Sequence, residues 1–431
     1  MSIKKQFAKY VSQNIMGMLG ISLYILADTF FISVAEGANG ITALNLVLPV
    51  YSVIYGIGAM LGVGAAIRFA VLRARGESDA EFYFGNAMIW ALILSVPFMV
   101  IGSCFAAKFV AFLGGDATIV AVGTPYTRIF MTLTPFFIWN QICNAFVRND
   151  GNPTIAMIST LSSSMFNIIM DYVLMFPLGL GMAGAALATA VSPIIGMAIC
   201  LVHFCSKKNT IKFKGTGFSV KRLWKSCQLG VSAFVGEMSS GVITMVFNIL
   251  LLDIAGNIGV AAYGVVANIA LVATSVFNGV AQGSQPLFSE FYGKRDLASM
   301  KQVLKMGIGT AVVLAGIILT VICIGAEPIV DIFNSEQNMQ MASYAVIGLK
   351  LYFIGFLFAG FNIVGTGYLS AVESVKWAFA ASVMRGFVAI VACAVVLAMM
   401  FGMTGVWLAF PVAEAITAVV TAVAIVKQKR R

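Results

Sequence analysis

The sequence predicts an all-α integral membrane protein: 12 transmembrane helices in two parallel six-helix lobes around a central cavity. Apolar composition, apolar stretches of bilayer length and basic residues confined to alternate connections support this. Of 431 residues, 60% are hydrophobic and 10% charged, too few polar groups to cover a water-soluble surface, so the chain's solvent is largely lipid. A bilayer core takes about 20 mostly apolar residues per crossing helix. Polar breaks divide this chain into spans at approximately 11–34, 43–67, 86–107, 125–147, 155–178, 182–205, 227–252, 259–284, 305–325, 343–371, 377–400 and 404–426.

A net charge of +10 suggests nucleic acid in a soluble protein, but here its placement matters more. Lys4, Lys5 and Lys9 precede span 1, and Arg68, Arg73 and Arg75 follow span 2. Arg148 follows span 4, a Lys-rich stretch from Lys207 to Lys225 follows span 6, and Lys294, Arg295, Lys301 and Lys305 follow span 8. Lys376 follows span 10, and Lys427, Lys429, Arg430 and Arg431 form the tail. Only Lys108 falls on the opposite side, with Arg128, Lys350 and Arg385 inside spans, while the 9–10 loop carries only acids, Glu327, Asp331 and Glu336. The asymmetry places both termini in the cytoplasm and checks the helix count. The first apolar segment is too long for a signal peptide and lacks a small-residue cleavage site, so it is expected to be retained. The seven cysteines lie in or beside apolar spans without paired external spacing, as packed thiols do.

Sliding the chain on itself by about 221 residues superposes Gly181-Met182-Ala183-Gly184 and Leu187-Ala188 on Gly402-Met403-Thr404-Gly405 and Leu408-Ala409. Near that offset Asn140 meets Asn362, Phe146 meets Tyr368, Gly58 meets Gly279 and Gly62 meets Gly283. Six helices per half give both copies the same orientation, with a substrate path expected between them. The expected division is 1–205 for the N-terminal lobe, 206–226 for a basic linker and 227–431 for the C-terminal lobe.

Ionisable residues at bilayer depth are costly and mark functional positions by default. Asp28, Asp171, Glu237 and Glu414 qualify. Asp28 follows Tyr24 by one helical turn and Asp171 follows Asn167 likewise, so each pair shares a helix face. Desolvation favours the protonated acid, while phenol and carboxamide donors support the carboxylate. Such a pocket suits proton coupling, and its oxygens equally suit a hard monovalent cation such as Na+. Glu237, in span 7, and Glu414, after Pro411, are secondary candidates, Glu414 with Arg385 as a partner.

Gly179-Leu180-Gly181-Met182-Ala183-Gly184 fits a dinucleotide-binding pattern but joins two membrane helices without a preceding strand. Cys200, His203 and Cys205 lack a fourth ligand and zinc spacing, and His203 reads as interfacial. No Walker lysine motif occurs, so ATP is not expected to act on this chain. Methionines and phenylalanines lining a cavity would suit flat hydrophobic cations.

Signatures along nearly the whole chain resemble the multidrug and toxic compound extrusion family. They include Ala27-Asp28-Thr29-Phe30-Phe31-Ile32, Phe146-Val147-Arg148-Asn149-Asp150-Gly151-Asn152-Pro153, Gly181 through Thr189, Gln282-Gly283-Ser284-Gln285-Pro286 and Gly365-Thr366-Gly367-Tyr368-Leu369. The chain is most similar to the DinF-like branch, whose ion-linked site, matched by motif, falls on Tyr24, Asp28, Asn144, Asn167, Asp171 and Thr189. The sister branch's helix-7 glutamate resembles Glu237, but helix 10 offers Asn362 and Thr366 where that branch has an acid. The resemblance implies secondary antiport of lipophilic, often cationic compounds against H+ or Na+ in a prokaryotic plasma membrane. It implies no cofactor beyond the coupling ion, no nucleic acid, no enzymatic step, and function as a monomer. A lipid-linked saccharide flippase would want several cavity cations, and an integral-membrane transferase would want clustered acids or a histidine motif.

Overall fold

The computed structural model describes residues 2–212, 218–334 and 337–429. Lys214 of the basic linker, Glu336 of the acidic loop, and Arg430 and Arg431 lie outside the described residues. Among those described there is no strand, consistent with lipid as solvent, where a helix satisfies its backbone internally.

The helices are α1 (Ile3–Ala74), α2 (Tyr83–Phe112), α3 (Ala117–Thr132), α4 (Thr134–Asn149), α5 (Pro153–Met175), α6 (Gly181–Phe204), α7 (Val220–Gly293), α8 (Leu297–Phe333), α9 (Met339–Tyr352), α10 (Phe356–Ala371), α11 (Val375–Val383) and α12 (Ala389–Lys429). Their number matches the spans only by coincidence, because several spans are fused and others are split. In α1 one residue, Gly37, leaves helical geometry (φ 60°, ψ −146°), and the arms on either side fold back on each other. The Tyr24 hydroxyl lies 3.0 Å from the Tyr51 hydroxyl, whereas 27 residues of straight helix would separate them by about 40 Å. Gly256 (φ 62°) does the same in α7, where Phe247 stacks on Tyr263 across the bend with centroids 5.1 Å apart. Gly402 (φ 57°) bends α12. This backbone region is essentially glycine-only, so each turn depends on the missing Cβ.

Other spans are interrupted without reversing. Span 4 starts at Ala117, earlier than hydropathy suggests, because Asp116 caps the helix through the Ile119 amide at 2.8 Å; it is broken at Leu133, two residues before Pro135. A short 3-10 segment, Phe353–Gly355, divides span 10, and a π-helical turn, Met384–Val388, links α11 to α12 within span 11. With these joins the chain is a 12-helix membrane fold whose outward faces carry residues such as Leu23, Phe30, Ile169, Ile249 and Val313. Gly181 (φ 49°) and Gly402 share a left-handed backbone, so the sequence repeat is also a backbone repeat.

The chain divides into two compact units. One comprises Met16–Glu237 with Ser289–Arg295, the other Met1–Ile15, Met238–Phe288 and Asp296–Arg431. In the first, α6 packs on α5, α3 and α4, and α2 on α3, over a core containing Phe69, Phe130, Phe137 and Phe146. In the second, α10 packs on α8 and α12, and α9 on both. The boundaries fall inside α1 and α7 for a steric reason. A Cβ on Gly64 would lie 1.9 Å from the Ser226 carbonyl oxygen, and one on Gly230 1.9 Å from the Met60 carbonyl oxygen, so the second arm of α1 touches the start of α7 backbone to backbone. In the other unit a Cβ on Gly279 would lie 2.6 Å from the Ile15 Cα and one on Gly283 2.7 Å from the Val11 Cα. Small residues are what allow membrane helices to approach this closely.

Gly230→Ala therefore forces two backbones apart and is expected to cost about 1–3 kcal/mol, read as a lowered midpoint in thermal unfolding of the detergent-purified protein. An unchanged midpoint would contradict this packing.

Candidate functional site

Within the unit spanning Met16–Glu237, serine hydroxyls fasten α5 to α6. Ser159 donates to the Gly196 carbonyl at 2.8 Å and Ser163 to the Ser192 carbonyl at 2.7 Å, while within α6 Ser192 donates to the Thr189 carbonyl at 3.1 Å. This seam sets Asn167 and Asp171 on α5 opposite Thr189 on α6. The carboxamide orientation that satisfies Asn167 at both ends donates from Nδ2 to Asp171 Oδ2 at 3.1 Å, while Oδ1 accepts from the Thr189 hydroxyl and amide, each at 3.2 Å. Tyr126, 2% exposed, lies within electrostatic reach of both Asp28 and Asp171.

Asp28 is 8% exposed and Asp171 0%, and they are close enough for the charge of one to act on the other. Oδ1 of each is enclosed and has no hydrogen-bond partner among the described residues, and no described Lys, Arg or His forms an ion pair with either. A carboxylate enclosed in a low-dielectric interior without a counter-cation is stabilised by taking up a proton or a cation. The two orphan carboxylate oxygens are hard donors suited to H+ or a hard monovalent ion. No group of three or more His, Cys, Asp or Glu among the described residues forms a transition-metal site.

Tyr24 lies within electrostatic reach of Asp28. Its hydroxyl meets those of Tyr51 and Tyr55 at 3.0 and 3.5 Å; Tyr51 and Tyr55 stack at 4.2 Å, and Tyr51 stacks on Phe130 at 5.1 Å. Sequence reasoning misses Tyr51, Tyr55 and Tyr126, although two tyrosines spaced i, i+4 in an apolar span are a readable signal. Asn144 belongs to another ladder: it donates to the Asn140 carbonyl and carboxamide oxygens at 3.0 and 2.9 Å and faces the Cys200 thiol at 3.9 Å. The described contacts do not join it to either aspartate. Glu237 is exposed and within electrostatic reach of Tyr24. Asn362 and Glu414 meet in the other unit, with Arg385.

A second polar cluster explains the Arg148 to Pro153 motif. Asp150, its side chain fully enclosed, accepts from Arg73 Nη1, His203 Nε2 (2.8 Å), the Thr210 amide (2.8 Å) and the Thr210 hydroxyl. His203 is thus 1% exposed, not interfacial, because Asp150 and Asn152 satisfy both ring nitrogens. Asn152 Oδ1 caps α5 at the Ile155 amide (3.3 Å), which turns Nδ2 toward His203 Nδ1 (3.2 Å). A donor there requires an accepting ring nitrogen, so the ring proton sits on Nε2. The cluster ties the segment after α6 to the α4–α5 turn. Among the cysteines, Cys143 and Cys200 are buried thiols.

A family model described as MatE matches residues 14–173 and 233–395. The chain is similar to the multidrug export protein MepA of Staphylococcus haemolyticus (strain JCSC1435), 28% identical over 423 residues, covering 97% of this chain and 92% of that protein. Among solved structures it resembles an outward-facing multidrug resistance MATE family transporter of the MOP superfamily, with TM-score 0.93, 20% identity and coverage of 100% and 98%. It also resembles a variant of the Vibrio cholerae MATE transporter VcmN, with TM-score 0.91, 18% identity and coverage of 100% and 97%.

Asp150→Ala removes the acceptor shared by a partly exposed Arg73 guanidinium, a buried His203 ring and Thr210, and is expected to cost about 1–3 kcal/mol in thermal unfolding; an unchanged midpoint would contradict the clamp. His203 is the sole histidine, so 15N-histidine labelling reports it alone. The spectrum should show Nε2 bearing a proton and Nδ1 as a hydrogen-bond acceptor, and a proton on Nδ1 would overturn the assignment.

Proposed function

The chain belongs to the MatE family, and from that premise we propose that it is a secondary antiporter exporting lipophilic, often cationic compounds in exchange for H+ or Na+. The observation that carries this reading is the pair of enclosed, unpartnered carboxylate oxygens on Asp28 and Asp171. The multidrug export named for the staphylococcal relatives supports the substrate class.

Ion and compound compete for one negative site. With both aspartates neutralised by H+ or Na+, a cationic compound loses its electrostatic partner and its affinity falls; with the ion gone, the carboxylates favour the compound. Coupling needs such a differential interaction, and it is reciprocal. Asn167 and Thr189 hold Asp171 in place, and the tyrosine cluster positions the neighbouring arm of α1. In this proposal residues 1–205 and 227–431 act as lobes that alternate access to the two sides, joined by the basic 206–226 segment. The one-sided basic residues support cytoplasmic termini in a prokaryotic plasma membrane, and the protein works as a monomer.

Efflux of a fluorescent lipophilic cation from proteoliposomes, driven by an imposed pH or Na+ gradient, tests this. Asp28→Asn and Asp171→Asn should each cut gradient-driven efflux by about tenfold or more, the scale of a coupling free energy of about 1–3 kcal/mol. Full gradient-driven efflux by Asp171→Asn would refute the assignment of the site, and no gradient-driven efflux by folded wild type would refute the antiporter.

A further inference from the structure

The basic residues around the start of α7 fall into two groups. Those of the first group are neutralised within the protein. Arg222 donates from Nε and Nη2 to Asp79 Oδ1, at 3.0 and 2.7 Å, and lies over the Phe82 ring at 4.6 Å, while Lys212 pairs with Glu81 at 2.9 Å. Phe218 stacks on Trp90 at 4.9 Å, and the Ser219 amide donates to Asn86 Oδ1 at 2.8 Å, so one side of the segment is fastened to α2 and the turn before it. Lys221, exposed, and Lys225, half-buried, make up the second group, and no described acid forms an ion pair with either.

The helix keeps these groups apart. α7 is helical from Val220 to its bend at Gly256, so position converts to direction at about 100° per residue. Val220, Lys221, Trp224 and Lys225 fall within an arc of about 140°, and Arg222 with the buried Ser226, Leu229 and Gly230 lies outside it. Val220 and Trp224, 63% and 65% exposed, stand in line with Met245, Ile249 and Leu252, each more than half exposed, all five within an arc of about 80°. The exposed polar residues of this arm, Glu237, Ser240 and Thr244, lie on a side centred about 130° away. The apolar line is therefore the lipid-facing side. Leu252 lies 28 residues beyond Trp224, about 42 Å of helix, against a hydrocarbon thickness of about 30 Å. Trp224 thus reaches headgroup depth, where amphipathic rings collect, with Lys221 and Lys225 beside it.

We propose that Lys221, Lys225 and Trp224 form a docking surface for the headgroup of an anionic phospholipid. The two ammoniums, four residues apart on one helix face, take the lipid phosphate as charge-assisted donors, and the Trp224 ring with Val220 covers the glycerol and the first acyl carbons. Charge decides the occupant. Asp79 and Glu81 are already matched by Arg222 and Lys212, so the surplus on this face is positive and its complement comes from outside the protein, at the depth where lipid phosphates lie. A zwitterionic lipid suits the ring equally but brings its own cation. The inference rests on the membrane fold and stands apart from ion coupling at Asp28 and Asp171.

The test uses purified full-length protein in nanodiscs of phosphatidylcholine and phosphatidylglycerol at an ionic strength of about 0.01 M, where charges act over about 30 Å. Tryptophan emission is quenched by lipid brominated near the ester end of its chain, and the quenching lost in Trp224→Phe belongs to Trp224. Brominated phosphatidylglycerol is expected to occupy that position about tenfold or more in preference to brominated phosphatidylcholine at equal mole fraction, the scale of two lysines at a lipid surface. Lys221→Gln with Lys225→Gln is expected to cut the preference to less than about twofold. Lys301→Gln with Lys305→Gln, an equal loss of charge from exposed α8 lysines, is expected to leave it unchanged, as is glycerol phosphate added at millimolar concentration. No preference in wild type would overturn the docking surface. Equal losses for the two lysine pairs would replace it with a diffuse surface potential, and displacement by glycerol phosphate would replace it with a phosphate site that needs no lipid.

Discussion

Two carboxylates on different helices, enclosed and without a positive charge beside them, are the constraint on which the rest of this molecule depends. Removing such groups from water is expensive unless a proton or cation accompanies them, so the surrounding helices must hold them in place at a standing cost. The serine seam between α5 and α6, the Asn167–Thr189 bridge and the hydroxyl cluster of Tyr24, Tyr51 and Tyr55 are that restraint. The serine and Asn167 bonds are buried, where water does not compete for them, and the tyrosine cluster is half-buried.

The two units solve the burial of charge differently while sharing one backbone plan. Left-handed glycines recur at Gly37 and Gly256 and at Gly181 and Gly402, so the helices turn at equivalent places in both halves. The acids do not recur. One unit leaves Asp28 and Asp171 unneutralised, which suits a site that exchanges a mobile cation. The other pairs Glu414 with Arg385 and Asn362, so its buried charge is neutralised within the protein. The Asp150 clamp, distant in sequence from Asp28, is structural instead. Through Arg73 and His203 it fastens the ends of α1 and α6 to the α4–α5 turn.

Much of the fold was legible because lipid imposes simple rules: length, polarity and charge asymmetry marked the spans, and the offset of about 221 residues marked the repeat. The interruptions were less legible. Gly37 turns the chain with one residue where hydropathy showed a whole loop, and the π turn at Met384–Val388 has no local signature. At the site, Asp28, Asn167 and Asp171 stood out because polar residues at bilayer depth are rare. Their neighbours did not, since helical spacing shows which residues share a face and not which hydroxyl lies opposite. Tyr24 therefore pairs with Tyr51 and Tyr55, and Asn144 with Asn140 and Cys200. His203 reads as interfacial for the same reason, its partners being 51 and 53 residues away.

The competition of a mobile cation and an exported cation for Asp28 and Asp171 is tested most directly by potentiometry on the purified protein. Weakly buffered wild type is titrated with tetraphenylphosphonium, first without Na+ and then in its presence, and released protons and Na+ are recorded. Binding is expected to expel H+ or Na+ from wild type, and Asp171→Asn is expected to expel less. Saturable binding that releases neither ion would contradict the shared site.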